Sequence, residues 1–334
     1  MQSEPIRVLS GDIGGTKTRL AVIEVCGTQL RTEREQSYAS RDYATFDELL
    51  GDFLNNSDVP ARAAFGIAGP VQGRVVQTTN LPWRIDADQL QAQFGIKLCS
   101  LLNDLEATAS GLPALGEADM LTLHAGTAGA SGNAAVIAAG TGLGEAGLFW
   151  DGRQYHPFAT EGGHASFSPG DEMEMALLRH LQQRHAHVSW ERIVSGPGLV
   201  MLHEFLCQYR HAPLPDWLRD EMQGGDAAAV IANAALNERD DLCIEALNCF
   251  VHLYGAEAGN LALKVMSRGG LYLGGGIAPK ILPCLQNGIF LNAFFNKGRM
   301  RPLLEAMPVR VILNDRAALY GPALHAAKQQ ESRP

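Results

Sequence analysis

The sequence of 334 residues contains no apolar run of about 18 residues, the length that a membrane-spanning helix needs. Residues 1–5, MQSEP, lack the basic and apolar regions of a signal peptide. Positive charge is also scarce: 27 Lys and Arg stand against 36 Asp and Glu, so the net charge is −9. A cationic face for phosphates is therefore not evident. We expect neither a membrane nor a nucleic acid as partner.

Cysteine is sparse, and the cysteines are scattered along the sequence. The six cysteines include no C-x-x-C pair, which favours reduced thiols in a cytoplasm over a disulfide framework or a zinc knuckle. The segment from His203 to Cys207 begins like a zinc-protease helix, but a cysteine stands where that motif needs its second histidine. His180, His185 and His187 are better explained as a polar helix end than as metal ligands. No zinc is expected.

Glycine is the residue in surplus, with 36 copies against an average share of about 7%. The sequence has no G-X-Y period, so collagen is excluded and the surplus must be local. The length fits two domains of about 100–200 residues. No Pro-rich or Ser-rich linker divides the chain, which favours two lobes that share a cleft.

The same local pattern occurs twice along the chain. Residues 6–10 and 19–25 read as strands around a glycine turn at 11–17, with a third strand at 29–38. Residues 134–139 and 145–150 repeat the strand, glycine turn and strand. An α/β fold built from duplicated βββαβα-type units is therefore predicted. Further strands are predicted at 63–67, 97–102, 271–273 and 309–313, and helices at 45–55, 86–94, 104–112 and 317–328.

Three glycine turns follow apolar strands. Glycine permits a positive φ and lets a phosphate approach backbone N–H groups, so three such turns favour a nucleotide site, although each alone could be a tight hairpin. None has the Walker A or dinucleotide-binding pattern. Asp12 could hold Mg²⁺ through water. The candidate residues are Gly11, Asp12, Gly14, Gly15, Thr16, Lys17, Gly140, Thr141, Gly142, Gly144, Gly274, Gly275 and Gly276.

Polar side chains form a second set of candidates. Asn103 and Asp104 lie between a predicted strand and helix, where Asp104 could cap the helix, act as a general base, or do both. Glu161 and His164 flank two glycines and can converge on one small ligand. Glu191 precedes a predicted turn, although a lone carboxylate is more often a surface group.

Seven segments together resemble the bacterial glucokinase family, the hexokinase-type ATP-dependent enzymes of the sugar kinase, heat-shock chaperone and actin superfamily. The segments appear in the family's order and are specific as a set. They are GDIGGTKTRLAV from Gly11, TNLPW from Thr79, LNDLEA from Leu102, AAGTGLGEA from Ala138, EGGHASFSP from Glu161, SWERIVSGPGL from Ser189 and LGGGIAPK from Leu273.

The resemblance implies a two-lobe actin-like ATPase fold with an interlobe cleft. Residues 1–112 and 315–334 would form a small α/β lobe, and residues 113–314 a large one. The three glycine turns would bind ATP with Mg²⁺, and the family is usually a cytoplasmic homodimer. No C-x-C-G-x-x-G-C follows the EGGH segment, which places the chain with the zinc-free glucokinases. By the same resemblance Asp104 would be the catalytic base, and the sugar hydroxyls would bind to Asn103, Glu161, His164 and Glu191.

The function implied is transfer of the γ-phosphoryl group of ATP to the 6-hydroxyl of D-glucose. The nearest alternative is a kinase for mannose, fructose or an N-acetylated amino sugar, because the sequence alone does not define the walls of the sugar pocket. A second alternative is a non-catalytic, nucleotide-gated sugar sensor. ADP and polyphosphate also remain open as phosphoryl donors.

Overall fold

The structure is a computed structural model that describes residues 4–55, 58–69, 71–78 and 81–329. Thr79 and Asn80 of the TNLPW segment lie outside the described residues. The chain divides into two compact units. Unit 1 comprises the described residues of Met1–Asp119, Gln154–Ala159 and Asn314–Pro334, and unit 2 comprises Met120–Arg153 and Thr160–Leu313. The lobe boundaries at 112 and 315 stay a prediction.

Strands and helices both occur along the described residues. The strands are β1 (Ile6–Ile13), β2 (Lys17–Cys26), β3 (Gln29–Ala39), β4 (Arg62–Ile67), β5 (Val71–Gln72), β6 (Val75–Gln77), β7 (Arg84–Asp86), β8 (Leu98–Asn103), β9 (Met120–His124), β10 (Ala134–Ala139), β11 (Leu143–Trp150), β12 (Tyr155–Thr160), β13 (Gly270–Gly274) and β14 (Val309–Ile312). The helices are α1 (Phe46–Leu54), α2 (Ala87–Phe94), α3 (Asp104–Gly111), α4 (Glu172–Gln182), α5 (Gly196–Tyr209), α6 (Asp216–Gly224), α7 (Ala227–Leu236), α8 (Asp241–Val265), α9 (Leu282–Gln286), α10 (Ile289–Phe295), α11 (Arg301–Glu305) and α12 (Ala317–Lys328).

Unit 1 is built on a sheet in the order β3-β2-β1-β4-β8. β1 pairs antiparallel with β2 and parallel with β4, and β4 pairs parallel with β8. Alternate residues of β1 lie on opposite faces of the sheet. Leu9 belongs to the core that includes residues of α1 and α2, and Val8 belongs to the core that includes residues of α12. The predicted hairpin of the first two strands is confirmed. The small sheet β5-β6-β7 belongs to the same unit.

Unit 2 repeats this arrangement. β10 pairs antiparallel with β11 and parallel with β13, β13 pairs parallel with β14, and β9 adds an antiparallel edge to β14. Its core packs apolar residues of β10, β13 and β14 against helices that include α4, α5, α8 and α10. Each unit thus carries an antiparallel hairpin followed by two parallel strands, and the predicted duplication is confirmed.

The helix starts follow capping residues that the sequence displays. Thr45 Oγ1 accepts from Glu48 N at 3.2 Å at the start of α1, and Asp86 Oδ1 accepts from Asp88 N at 3.1 Å at the start of α2. Trp83 is 1% exposed and donates from Nε1 to Tyr43 O at 3.2 Å, so it is a core residue.

Two glycines bring α12 against α3. A Cβ added to Gly111 would lie 3.1 Å from the amide nitrogen of Gly321, and one added to Gly321 would lie 2.9 Å from that of Gly111. A Cβ added to Gly66 on β4 would lie 2.6 Å from Ala107 Cβ on α3. These approaches leave no room for side chains, so α3 is held at a fixed position behind the end of β8. In the described ranges, no helix combines the length and the apolar character needed to cross a membrane.

Candidate active site

Asn103 closes β8 and caps α3. Its Oδ1 accepts from Leu105 N at 2.9 Å and from Glu106 N at 3.4 Å, while Nδ2 donates to Gly69 O at 3.4 Å. The residue is 8% exposed. The alternative in which Asp104 caps the helix is therefore wrong: the cap is its neighbour, because Asn103 has the extended backbone of an N-cap and Asp104 is already helical.

Asp104 is the first residue of α3 and is half-buried. Its Oδ1 accepts from Leu105 N at 2.8 Å. β1, β4 and β8 run parallel, with Ile13 paired to Ile67 and Ile67 to Asn103. Asp104 therefore lies beyond the carboxyl edge of the three strands, where α/β sheets place their chemistry.

Asp12 lies at the same edge, but inside β1 rather than in a turn. It pairs with Arg19 on β2, and Arg19 Nη2 donates to Asp12 Oδ2 at 3.1 Å. Arg19 also holds Asp315, with Nη1 2.8 Å from Oδ2 and Nη2 2.5 Å from the backbone oxygen. Burial raises the pKa of Asp12, and Arg19 opposes that rise. Arg19 and Asp315 were not among the predicted site residues.

The first glycine turn is shorter than predicted. β1 continues to Ile13, so Gly11 is a strand residue, and a Cβ there would lie 2.7 Å from side-chain atoms of Leu20 and Phe65. The turn itself closes with Gly14 N donating to Lys17 O at 3.1 Å, with Gly15 and Thr16 between them. Ser40, which the sequence did not single out, donates from Oγ to Gly14 O at 2.8 Å. The hydroxyl of Ser40 therefore fixes the turn from β3's end.

Unit 2 brings three predicted residues together. His164 Nε2 lies 3.9 Å from Glu161 Oε2, and His164 Nδ1 lies 3.9 Å from Glu191 Oε1. The side chains of Glu161 and His164 are 62% and 61% exposed, and that of Glu191 is 31% exposed. The three present one imidazole and two carboxylates to solvent at spacings that suit the hydroxyls of one small polar ligand.

Glu191 also supports the second glycine turn. Its Oε2 accepts from Leu143 N at 3.0 Å, and a Cβ added to Gly142 would lie 3.1 Å from its carboxyl carbon. Gly140 N donates to Gly142 O at 2.9 Å, and Gly196 N donates to Gly140 O at 2.8 Å. Thr141 lies at the tip of this turn. One carboxylate thus faces His164 with one oxygen and holds the turn with the other.

The third glycine cluster lies beside the second. Gly274 ends β13 and pairs with Ala138 of β10, while Gly275 has a φ of +80° and lies against the backbone of Ala139. A Cβ on Gly276 would meet no atom within 4 Å. The positive φ expected of these turns is present at Gly275 but not at Gly14, Gly15, Gly140, Gly142 or Gly276, so the expectation is wrong for those glycines. Gly144 is a strand residue of β11.

A buried acid lies directly beneath the Glu161–His164 segment. Glu145 is 2% exposed, and a Cβ added to Gly162 would lie 2.8 Å from its carboxyl carbon. Its Oε1 has no hydrogen-bond donor within the described residues. Burial, and then the charge of Glu257, raise the pKa of Glu145 to about 8, while Lys264 lowers it. No pattern in the sequence marks this residue, because Glu145 follows the glycine turn as one more position of a strand.

Comparison with known proteins agrees with the resemblance in the sequence. The sequence model of the glucokinase family matches residues 9–329. A glucokinase of Nostoc sp. is 43% identical in an alignment 338 residues long. The alignment covers 96% of this chain and 99% of the relative. The crystal structure of a glucokinase from an Antarctic psychrotroph has a TM-score of 0.84 at 30% identity and covers 98% of this chain and 100% of its own.

A more distant structure agrees in fold. The ROK family glucokinase of Streptomyces griseus, solved in complex with glucose and AMPPNP, has a TM-score of 0.66 at 21% identity over 97% of this chain and 100% of its own. Both structures have the actin-like ATPase fold predicted for this chain. With a family match over nearly its whole length and relatives well above 30% identity, the chain belongs to the glucokinase family.

Proposed function

We propose that the protein transfers the γ-phosphoryl group of ATP to the 6-hydroxyl of D-glucose. The observation that carries the proposal is the double use of Glu191, whose Oε1 lies 3.9 Å from His164 and whose Oε2 holds Leu143 N at the end of the glycine turn. A set of side chains suited to sugar hydroxyls and a turn suited to phosphate thus share one residue.

Asp104 is the proposed general base. Phosphoryl transfer needs little covalent help from the protein, so the residues act by positioning the 6-hydroxyl and accepting its proton as the bond to phosphorus forms. Asn103 would donate to the sugar through Nδ2, because its Oδ1 is engaged by Leu105 and Glu106. Glu161 and Glu191 would accept from sugar hydroxyls, and His164 would bind a third.

The glycine turns are the proposed binding sites for ATP. Open space around a Cβ added at Gly140 and at Gly276 allows close approach of a ligand to the backbone. Asp12 fits a water-mediated contact to Mg²⁺, because Arg19 already occupies its Oδ2. When bound, Mg²⁺ would spread the charge of the phosphates. The nucleotide-binding set is that of the sequence analysis: Gly11, Asp12, Gly14, Gly15, Thr16, Lys17, Gly140, Thr141, Gly142, Gly144, Gly274, Gly275 and Gly276.

The biological setting belongs to the same proposal. A cytoplasmic homodimer with a small lobe of residues 1–112 and 315–334 and a large lobe of residues 113–314 follows from the family resemblance. None of the six cysteines is part of a disulfide, which fits a reduced compartment.

A matrix of sugars against phosphoryl donors tests the function. With purified protein, glucose and Mg-ATP are expected to give ADP and glucose 6-phosphate in equal amounts, faster than mannose, fructose or N-acetylglucosamine and faster than with ADP or polyphosphate as donor. A higher kcat/KM for another hexose would replace glucose as the substrate. Glucose binding without ADP release would make the protein a sensor and overturn the proposal.

Glu161→Gln is expected to raise the KM for glucose by about 10–100-fold, because a hydrogen bond to a charged group contributes about 1.5–3 kcal/mol. The KM for ATP should change by less than about twofold. Steady-state kinetics with each substrate varied in turn measures both. Glu172→Gln, at an exposed position on α4, is the control and should leave both constants unchanged. Equal losses for glucose and ATP would contradict the assignment of Glu161 to the sugar.

A further inference from the structure

Away from the candidate active site, helices α5 and α8 bring together nitrogen, sulfur and oxygen donors. His203 lies on α5, Asp240 caps α8 and Cys243 lies in its first turn. One ligand atom from each of these three residues lies within 4.8 Å of the other two. Cys207, one turn along α5, has its Sγ 3.9 Å from both ring nitrogens of His203. Three metal-ligating side chains therefore meet between α5 and α8, and a fourth, Cys207, lies beside the imidazole of His203.

Two members of the cluster are buried, and its imidazole is poorly satisfied by hydrogen bonds. His203 is 1% exposed and Cys243 is fully buried. Across the described ranges, the only hydrogen-bond partner of the His203 ring is the Cys207 thiol, a weak one at 3.9 Å. A buried imidazole that lacks a strong partner costs free energy, so its retention here needs a reason. A metal ion would provide a strong bond to this ring.

Asp240 is oriented toward the same point. Its Oδ1 accepts from Cys243 N at 2.8 Å, which fixes the carboxylate at the start of α8. Asp240 also acts electrostatically on His203, Cys207 and Cys243, so all four groups share one environment. The other charged side chains near the cluster are Glu204 and Arg239.

We propose that His203, Cys207, Asp240 and Cys243 bind one divalent transition metal ion of the zinc class. Imidazole, thiolate and carboxylate are the ligands that Zn²⁺ takes in proteins, and four of them give its tetrahedral geometry. Bond lengths of about 2.0–2.3 Å place ligand atoms about 3.5 Å apart, so the atoms of His203, Asp240 and Cys243 have to approach one another by about 1 Å. The Cys207 thiol, which lies against His203, has to turn toward the other two ligands. Both thiols release a proton on binding, which makes the affinity rise with pH.

The site has a structural role, because all four coordinating positions are occupied by protein. It joins α5 to α8 and stabilises unit 2 in proportion to metal occupancy. This differs from the protease motif that the segment from His203 to Cys207 suggests, since the third and fourth ligands come from α8 rather than from the same helix.

Metal titration of the full chain tests the site. Reduced, metal-free protein is titrated with ZnCl₂, and bound metal is counted by elemental analysis after gel filtration. One equivalent of zinc and a higher thermal midpoint are expected. With CoCl₂, a thiolate-to-cobalt charge-transfer band and the visible bands of tetrahedral Co²⁺ should appear. Failure to retain zinc, or a cobalt spectrum without thiolate character, would overturn the proposal.

Matched variants locate the site. Cys243→Ser and Asp240→Asn are each expected to weaken zinc binding by at least about tenfold, and asparagine keeps the Oδ1 cap should the serine variant fail to fold. Cys249→Ser, at another buried position of α8, should bind zinc like the parent. Equal loss in Cys249→Ser would show that the cluster is not a metal site.

Discussion

Asp104→Asn is expected to lower kcat for glucose phosphorylation by about 10²–10⁴-fold, the range that a general base contributes. In free energy this is about 3–5 kcal/mol of the barrier. Asparagine has nearly the shape of aspartate and retains an Oδ1 that can accept from Leu105 N, as Asp104 does at 2.8 Å. It has no basic oxygen for the proton of the 6-hydroxyl, so the loss should fall on the chemical step.

The position of Asp104 supports a large effect. Asn103 supplies the cap of α3, so the carboxylate is not required to start the helix. The glycine contacts of α3 with β4 and α12 hold its first turn in place. A general base has to stay within hydrogen-bond reach of the proton it accepts, and a helix fixed on two sides meets that requirement.

Three measurements separate this role from a structural one. The dissociation constant of glucose, measured by calorimetry, should change by less than about tenfold in Asp104→Asn, since the side-chain shape persists. Asp104→Ala should lose at least as much turnover as Asp104→Asn. Glu106→Gln, at a half-buried acid on the same helix, should keep kcat within about tenfold. Turnover of Asp104→Ala within tenfold of the parent would remove Asp104 as the base.

The sequence predicts local structure well wherever apolar residues recur at regular spacing and a helix-capping residue is present. The hairpin of β1 and β2, the helices that follow Thr45 and Asp86, and the bounds of α12 all follow from apolar spacing and capping chemistry. Helix α3 was also predicted, but its cap was assigned one residue too late. Asn and Asp are both good caps, so only the backbone angles of Asn103 decide between them.

The physical reason for a glycine at each position is visible only in the folded structure. A sequence shows glycine but not its neighbours, so the turn chemistry that suits Gly275 was extended to Gly11 and Gly144, which lie in strands. At Gly11 the requirement is space beside Leu20 and Phe65, two side chains from other strands. Close packing of this kind leaves no pattern in one segment of sequence.

Charges that meet through tertiary structure were likewise not predictable. Arg19 bonds to Asp12 in the same hairpin and to Asp315, which lies 296 positions further along the chain, before the last helix. Glu145 on β11 meets Glu257 in the middle of α8, where an apolar period gives no sign of a charge. The residues of the candidate site could be proposed from the sequence. The side chains that position them or shift their pKa could be identified only from the tertiary structure.

Raising the pH from about 5 to 8 is expected to destabilise the protein through Glu145. The pKa of its carboxyl is raised from 4.5 to about 8, first by burial and then by the neighbouring carboxyl of Glu257, whereas Lys264 lowers it. Lys297 lies near Glu257, and burial lowers the pKa of that lysine. A proton on Glu145 would also turn its carboxyl into a donor, which fits the burial of Oε1 without a partner among the described residues.

The direction follows from proton binding. Below about pH 4.5 the carboxyl is protonated in both the folded and the unfolded chain, and Glu145 does not affect stability. Between pH 4.5 and about 8 the unfolded chain loses the proton and the folded chain keeps it, so the free energy of unfolding falls as pH rises. Above about pH 8 both forms are ionised and the loss stays constant.

Glu145→Gln removes this titration and the charge that acts on Glu257, because glutamine is neutral at every pH and nearly the same size. Relative to the parent, the variant is expected to gain roughly 3–5 kcal/mol in free energy of unfolding between pH 5 and pH 9, at about 1.4 kcal/mol per unit of pKa shift. Urea unfolding at several pH values, with Glu172→Gln as the exposed control, measures the difference. A gap between Glu145→Gln and the parent that does not change with pH would show that Glu145 is ionised throughout. A gap that widens to pH 8 would place a protonated carboxyl under Gly162, where its ionisation would also disturb the segment that carries Glu161 and His164.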